Sequence, residues 1–215
     1  MTEAREQIRP REGVTPDGAM RVGEWMTESL IAAEAATTCG EARGLLHAHG
    51  IRHLPVVDRG RLVGIVSDRD LARAPAAVPL GDVMTRRVVT ASPEAPVEDA
   101  ALLLVTHRIG ALPVVREGAL VGIFTETDAL HALVDLLRVR GGARIELAVG
   151  AVPDALGRVM RSLRGLGEGD ARLLSAAVTS DRGAPVLVLR IETDRAGAVV
   201  AALRRAGFEI RAVPT

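Results

Sequence analysis

Short apolar runs of strand length recur along the first two thirds of the chain, and each is followed by polar residues that suit a turn or a helix start. One run, at 62–66, ends at a hydroxyl residue with a carboxylate three positions later. The same pattern returns at 120–124, displaced by 58 residues. Two such runs at a fixed offset indicate a duplicated unit. Each copy predicts a short strand, a helix, a strand, a turn, a strand and a second helix.

The boundaries of these elements follow from residues that start or stop helices. The first helices of the two copies are predicted at 42–48 and 100–107, with ends at Gly50 and Gly110, because glycine commonly terminates a helix. The strands are predicted at 30–31, 54–57, 88–90 and 112–115. A unit of about 55 residues buries too little apolar surface by itself. We therefore expect the copies to pack face to face around a shared core, with two related clefts between them.

The hydroxyl and the carboxylate that follow each run allow two interpretations. Ser67 and Thr125 suit helix N-caps, with Asp70 and Asp128 favoured in the first turn by the helix dipole. The same carboxylates could accept hydrogen bonds from a vicinal diol such as a ribose. The residues alone leave both interpretations open.

The last third of the chain has a different spacing of apolar residues, and residues 138–142 are predicted to be the linker to it. Residues 144–149 alternate as a half-buried strand does, and the next helix carries its apolar residues on one face. These are Leu156, Val159, Met160 and Leu163. Two strands, a second helix and a last strand follow. The order βαββαβ predicts a ferredoxin-like sandwich, so the expected fold class is α/β (α+β).

Composition narrows the class of partner. One Trp, two Phe and no Tyr leave few platforms on which nucleic-acid bases could stack. The 27 basic and 27 acidic residues balance, which argues against a nucleic-acid partner. No apolar stretch reaches the roughly 20 residues that span a bilayer, and the polar start is unlike a signal peptide. We expect a cytoplasmic chain with no membrane or nucleic-acid partner and a mobile arm at 1–20, for which a lid over a ligand site is the alternative.

Sequence motifs of catalysis are missing. The chain has no phosphate-binding GxxxxGK[ST], no HExxH and no GxSxG, and the glycine-rich stretch at 165–169 follows a helix instead of opening one. His47 and His49 are two residues apart, on different helix faces, and are predicted to be surface residues. Cys39, the only cysteine, is predicted to be buried or inert, with an activated thiol as the alternative. We expect no enzyme activity, no metal and no cofactor.

Three motifs occur in both copies at the same spacing. They are Met-Thr at 26–27 and 84–85, an apolar-Pro-Val-Val strand, and Gly-Ile-x-Ser/Thr-x-x-Asp. Together they resemble a pair of CBS domains, a Bateman module, over residues 21–136. The resemblance implies a non-enzymatic regulatory protein that binds AMP, ATP or S-adenosylmethionine between the repeats. It also implies a homodimer that acts on a protein target, which the sequence does not name.

The resemblance implies which residues form each cleft. In the family, the hydroxyl-x-x-Asp of one repeat faces the first strand and the pre-Pro strand of the other. Apolar walls would hold the base, backbone amides would read its edge, and the aspartate would bind the ribose. Cleft A would be lined by Ser67, Asp70, Val88, Val89, Ile109, Gly110 and Ala111. Cleft B would be lined by Thr125, Asp128, Leu30, Ile31, Ile51, Arg52 and His53.

Charge predicts a difference between the two clefts. Cleft B has Arg52 and His53 where cleft A has Gly110 and Ala111. Because phosphates prefer charge-assisted donors, we expect them in cleft B. Cleft A keeps Arg69 and is expected to take a less charged adenosine ligand or to stay empty. For His53, the alternative is a satisfied histidine at a domain interface.

The last third of the chain resembles an ACT domain in its element order and in the stretch 152–156. Asp154 stands where that family usually has glycine, which argues against amino-acid binding at this turn. Two CBS repeats before such a domain are similar to bacterial regulators of the acetoin-utilisation type, and ligand binding would be transmitted through the helix at 128–137. The predicted domains are 1–20 (arm), 21–79 and 80–137 (repeats), 138–142 (linker) and 143–215 (ACT-like domain).

Two other functions stay open. The first is a structural or assembly module whose clefts are vestigial and which works through a protein partner. The second is a DNA-associated regulator, which zero net charge and the lack of a helix-turn-helix signal disfavour.

Overall fold

A computed structural model describes residues 20–150, 152–167 and 169–212 of the protein. The predicted arm, apart from Met20, lies outside these residues. The chain divides between Ala132 and Leu133 into two compact units. The mixed α and β structure with two repeats is as predicted. Among the described residues, every helix is too short or too polar to cross a lipid bilayer.

The first unit holds both repeats and a five-stranded sheet in the order β1-β2-β3-β5-β4. Its elements are α1 (Val22–Trp25), β1 (Ala33–Glu34), α2 (Cys39–His49), β2 (His53–Asp58), β3 (Arg61–Ser67), α3 (Asp68–Arg73), α4 (Leu80–Val83), α5 (Val97–His107), β4 (Ala111–Arg116), β5 (Ala119–Thr125) and α6 (Glu126–Leu136). The hairpins β2–β3 and β4–β5 meet where Arg61 pairs with Ala119. Helix α6 begins in the first unit and ends in the second.

The sequence predicted one core shared by both repeats, but the structure has an apolar core in each repeat, and the short helices α1 and α4 are exchanged between the two. Val22 of α1 and the following Met26 pack into the core of the second repeat, whereas Leu80 of α4 and the following Met84 pack into that of the first. The backbone continues the exchange. Thr27 and Ile123 trade hydrogen bonds of 2.9 and 3.0 Å, and Thr85 and Ile65 do the same at 2.9 and 3.1 Å.

This exchange accounts for a glycine in each of the strands β3 and β5. A Cβ on Gly64 would lie 2.8 Å from Cγ of Met84, and one on Gly122 would lie 2.9 Å from Cγ of Met26. Neither position therefore has room for a side chain while the methionine stays in place. The Met-Thr and Gly-Ile motifs are thus the two sides of one contact.

Several predicted boundaries need correction. Helices α2 and α5 end close to their predicted last residues, at His49 and His107, but both begin three residues earlier than predicted, at Cys39 and Val97. Gly50 caps α2 as predicted, whereas the cap of α5 is Arg108 in the left-handed conformation (φ 54°), not Gly110. The first strands also start later than predicted. Strand β1 covers Ala33–Glu34, and its counterpart is a single bridge at Ala91, because only there does the backbone run beside β2 and β4.

The predictions for the single cysteine and the paired histidines agree with the structure. Cys39 is buried at the start of α2, while His47 and His49 are exposed near its end. The described residues contain no group of three or more His, Cys, Asp or Glu side chains that could hold a metal ion.

The second unit is a four-stranded antiparallel sheet with two helices, in the order strand, helix, strand, strand, helix, strand. Its remaining elements are β6 (Ala143–Ala148), α7 (Ala155–Arg164), β7 (Arg172–Asp181), β8 (Ala184–Glu192), α8 (Ala196–Arg205) and β9 (Glu209–Ala212). The strand order is β7-β8-β6-β9. Val159 and Leu163 of α7 and Val199 and Leu203 of α8 share one core with residues of β6 and β8.

Candidate functional site

Cleft A is a cavity of about 290 Å³ between the two repeats. All of the residues predicted for cleft A line this cavity: Ser67, Asp70, Val88, Val89, Ile109, Gly110 and Ala111. Ser67 and Asp70 come from the junction of β3 and α3, and the apolar residues come from the second repeat. The cavity therefore combines polar groups with apolar wall residues, which is the usual form of a small-molecule site.

The serine and aspartate of cleft A form a helix cap. Ser67 is the N-cap of α3, and its Oγ accepts a hydrogen bond from the Asp70 backbone N–H at 3.3 Å. Oδ2 of Asp70 accepts in return from the Ser67 backbone N–H at 2.9 Å and from Ser67 Oγ at 2.7 Å. The capping interpretation is thus confirmed. These hydrogen bonds use Oδ2 of Asp70, and no described residue donates to its other oxygen, Oδ1. Oδ1 can therefore accept from a diol while Oδ2 caps the helix.

Cleft B is a smaller cavity, of about 220 Å³, on the other side of the repeat interface. Six of its seven predicted residues line it: Leu30, Ile31, Ile51, Arg52, His53 and Thr125. Asp128 does not line it. Its Oδ2 accepts hydrogen bonds from the Thr125 backbone N–H at 2.8 Å and from Thr125 Oγ1 at 2.7 Å, and the carboxylate is half-buried there.

A shared partition separates the two clefts. Arg52, His53 and Gly110 line both cavities. A Cβ on Gly110 would lie 2.8 Å from Cε1 of His53, so the imidazole rests directly against this glycine. Arg52 and His53 therefore do not distinguish cleft B from cleft A, and the charge argument that assigned phosphates to cleft B loses its premise.

The partition histidine favours its neutral form. Burial lowers the pKa of His53 below its ordinary value, and the nearby Arg52 guanidinium lowers it further. The carboxylates of Asp68, Glu126 and Asp70 act in the opposite direction without cancelling that shift.

Sequence reasoning missed two arginines of cleft A. Arg87 and Arg108 line the cavity together with Arg52 and Arg69, so four arginines contribute to its lining. Each missed residue directly precedes a predicted one in the chain. The signal that could have found them is the comparison of the two repeats position by position at the offset of 58 residues.

Comparison with known proteins gives one family and several solved structures. Residues 22–77 and 80–135 each match the model of the CBS domain. CBS domain-containing protein YhcV from Bacillus subtilis (strain 168) is 34% identical over 113 residues, which cover 50% of this chain and 81% of YhcV. Three further relatives are enzymes, and the match covers 22–25% of their length.

Solved structures resemble the same part of the chain. A protein assigned to acetoin utilization (AcuB) from Vibrio cholerae is 35% identical with a TM-score of 0.53, over 57% of this chain and 96% of AcuB. The CBS domain pair of MJ0100, in complex with 5′-methylthioadenosine and S-adenosyl-L-methionine, is 33% identical with a TM-score of 0.51, over 54% and 96%. CBSX2 in complex with AMP is 31% identical with a TM-score of 0.50, over 56% and 98%.

Proposed function

We propose, from the premise that this chain belongs to the CBS-domain family, that it is a regulatory protein that binds an adenosine-containing ligand between its two repeats. The ligand class is AMP, ATP or S-adenosylmethionine. Relatives of the same fold support this class, because MJ0100 and CBSX2 were solved with 5′-methylthioadenosine, S-adenosyl-L-methionine and AMP.

The observation that carries the proposal is the composition of cleft A. Val88, Val89 and Ile109 supply an apolar wall of a size that suits a purine base. Asp70 of the first repeat lines the same cavity and has an oxygen to accept hydrogen bonds from a ribose diol. Base and sugar would thus be bound by opposite repeats, so the ligand would tie the repeats together.

We propose that the second unit is an ACT-like regulatory domain of the ferredoxin-like class, at about residues 143–215, joined by a linker at 138–142. Its strand order and alternating elements support this fold. Asp154, at the position of the family's glycine, has a positive φ of 53° and pairs with Arg161 at 3.0 Å. A carboxylate thus fills the turn, which supports assembly or signalling over amino-acid binding.

Signal transmission would use helix α6. Thr127 of this helix lines cleft B, and the helix continues into the second unit. A ligand can shift such a helix only by the difference between its affinities for two states. We further propose that the protein acts in the cytoplasm on a protein target, without catalysis of its own.

We propose a homodimer that pairs through the second repeat. Helix α5 exposes 64% of Leu102 and 76% of Val105, and α6 exposes 61% of Leu130. The positions equivalent to Leu102 and Val105 in the first repeat are Gly44 and His47. Sedimentation velocity should show a dimer that Val105→Glu dissociates and His47→Glu leaves intact.

A thermal shift experiment tests ligand binding. The unfolding midpoint should rise with AMP, ATP or S-adenosylmethionine, because a ligand that binds only the folded state stabilises it by mass action. Asp70→Asn should reduce this rise. Since that substitution also weakens a helix cap, Glu41→Gln provides the control: Glu41 forms the same kind of capping box with Thr38 in α2, away from both clefts.

Each variant is compared with its own ligand-free midpoint. Glu41→Gln should keep the full ligand response despite a lower midpoint. If no adenosine ligand raises the wild-type midpoint, the assembly function with vestigial clefts replaces the sensor.

A further inference from the structure

The pseudo-symmetry of the repeats allows a position-by-position comparison of the two clefts. At the offset of 58 residues, four apolar residues of the cleft A wall have apolar counterparts that line cleft B. The pairs are Ile65 and Ile123, Val88 and Leu30, Val89 and Ile31, and Ile109 and Ile51. The hydroxyl cap is kept as well, as Ser67 and Thr125. Both clefts therefore offer the same kind of surface to a base.

The cationic positions are not kept. Arg69 in cleft A corresponds to Thr127 in cleft B, and Arg87 corresponds to Ser29. The third pair is Arg108 and Gly50. All three positions line their cavities in both repeats, so the difference lies in the side chains and not in the backbone path.

Within the part of the chain that the structure describes, the side chains of the four arginines that line cleft A have no hydrogen-bond or ion-pair partner. In the described ranges of the chain, the guanidinium groups of Arg52, Arg69, Arg87 and Arg108 donate no hydrogen bond and lie beyond 4.0 Å from any carboxylate oxygen. This holds although Asp68, Asp70 and Glu126 line the same cavity. Elsewhere on the surface, Arg116 pairs with Glu94 at 2.9 Å. The planar fork of arginine suits two oxygens of a phosphate.

The backbone at Arg108 points the same way. Arg108 has φ 54°, a left-handed conformation that residues with a Cβ rarely adopt, and the equivalent Gly50 has φ 62°. The second repeat thus places an arginine at a turn that favours glycine. Strained residues of this kind are retained at ligand sites when the side chain is needed there.

We propose that the two clefts have diverged in the charge of the ligand they take. Cleft A binds an adenine nucleotide with a phosphate tail, and cleft B binds an uncharged adenosine derivative. This assignment rests on the proposed nucleotide-binding function and reverses the expectation from sequence.

Exchange of residues between equivalent positions tests the proposal by isothermal titration calorimetry, with ATP and 5′-methylthioadenosine as probes. Arg87→Ser gives cleft A the residue of cleft B and should weaken ATP binding about fivefold to tenfold, the range for one charge-assisted contact. Binding of 5′-methylthioadenosine should change less than twofold. Ser29→Arg gives cleft B the residue of cleft A and should add a second ATP site per chain.

Arg86→Ser is the matched control, because Arg86 precedes Arg87 but donates to the Gly81 carbonyl at 2.6 Å and does not line the cleft. It should leave ATP affinity unchanged. An Arg87→Ser variant that keeps wild-type ATP affinity, or that weakens both probes equally, overturns the divergence of the clefts alone. A wild-type protein that binds neither probe overturns the proposed nucleotide function itself.

Discussion

Cleft A and cleft B are two versions of one site, and they differ only where the fold permits it. The apolar walls belong to residues that also pack against the cores, such as Val89 and Ile31. The hydroxyl caps start helices α3 and α6. Arg87 and Ser29, by contrast, are exposed and belong to no core. Both copies therefore keep the apolar walls and helix caps that the fold requires. They differ at exposed positions of the cleft rim, such as Arg87 and Ser29.

The clefts also share one partition, so they cannot be fully independent. The partition, formed by Arg52, His53 and Gly110, is one arginine and one histidine from the first repeat against a glycine of the second. A change at the partition should act on both clefts, and a change at the rim should act on one.

The largest effect on the two clefts is expected from Gly110→Ala. The new Cβ would lie 2.8 Å from Cε1 of His53 and force the imidazole to move. Because the imidazole is the far end of its side chain and borders two cavities, it can shift, so the free energy of unfolding should fall by no more than about 1 kcal/mol. Binding of both probes should weaken together. Gly44→Ala, in the open middle of α2 with nothing within 4 Å, should instead stabilise by up to about 1 kcal/mol.

Urea unfolding and calorimetry measure the two outcomes. A Gly110→Ala protein that loses affinity for one probe only would show that the partition does not couple the clefts.

An intermediate effect is expected from the reciprocal pair Arg108→Gly and Gly50→Arg. A left-handed residue with a Cβ costs roughly 1–2 kcal/mol relative to glycine. Arg108→Gly should therefore raise the free energy of unfolding by about 1 kcal/mol while it weakens ATP binding. Gly50→Arg should lower stability by a similar amount and strengthen ATP binding in cleft B.

The informative result is that Arg108→Gly should raise the free energy of unfolding and yet weaken ATP binding. Urea unfolding measures the first change and calorimetry the second. If Arg108→Gly loses stability, the left-handed turn is not strained and its support for a ligand role disappears.

The smallest effect is a pH dependence from His53. Because its pKa is lowered in the folded protein, chiefly by burial, the unfolded chain binds the proton more tightly. The stability from neutral His53 is complete above the unfolded-state pKa and falls as the pH drops through it toward the lower folded-state pKa. Wild type should lose more stability than His53→Gln between about pH 7.5 and pH 5.5.

Phosphates in cleft A would favour the charged imidazole and raise the pKa of His53 again. ATP should therefore reduce the difference in acid sensitivity between wild type and His53→Gln, and 5′-methylthioadenosine should not. Thermal unfolding at a series of pH values measures both curves. Equal acid sensitivity of the two proteins without ligand would contradict the role assigned to burial.

The sequence predicted the features that recur in both repeats as residue patterns. It missed the features that depend on how the backbone turns in three dimensions. The apolar walls of the clefts, the Ser67 and Thr125 caps and the element order of the second unit follow from local patterns, and the structure has them. In the first unit the order helix, strand, strand, helix was predicted for each repeat, but α1 and α4 were not. Arg87 and Arg108 were missed because an exposed arginine carries no periodic signal. The cap of α5 was assigned to Gly110 because a left-handed cap is usually glycine, whereas Arg108 adopts that conformation here.

The exchange of α1 and α4 was also beyond local reasoning. A four-residue helix with one or two apolar side chains gives no sign of which core it enters. The exchange is revealed by the contacts of Met26 with Gly122 and of Met84 with Gly64, together with the core packing and backbone hydrogen bonds of the same segments.

Asp128 was placed in cleft B by its spacing from Thr125. It makes the same cap hydrogen bonds as Asp70, yet Asp70 lines cleft A and Asp128 does not line cleft B. The motif is the same in both repeats, so nothing in the residue pattern indicated this difference.

Because of the exchanged helices, the residues of the two cores become complete at different times during protein synthesis. The core of the first repeat uses residues 33–84 and is complete soon after Met84 leaves the ribosome. The core of the second repeat needs Val22 and Met26, which are made first, together with β5. Thr27 and Ile123 are 96 positions apart, a delay of roughly 5–20 s at typical elongation rates. Among the described elements, helix α1 is therefore the one that waits longest for its partner.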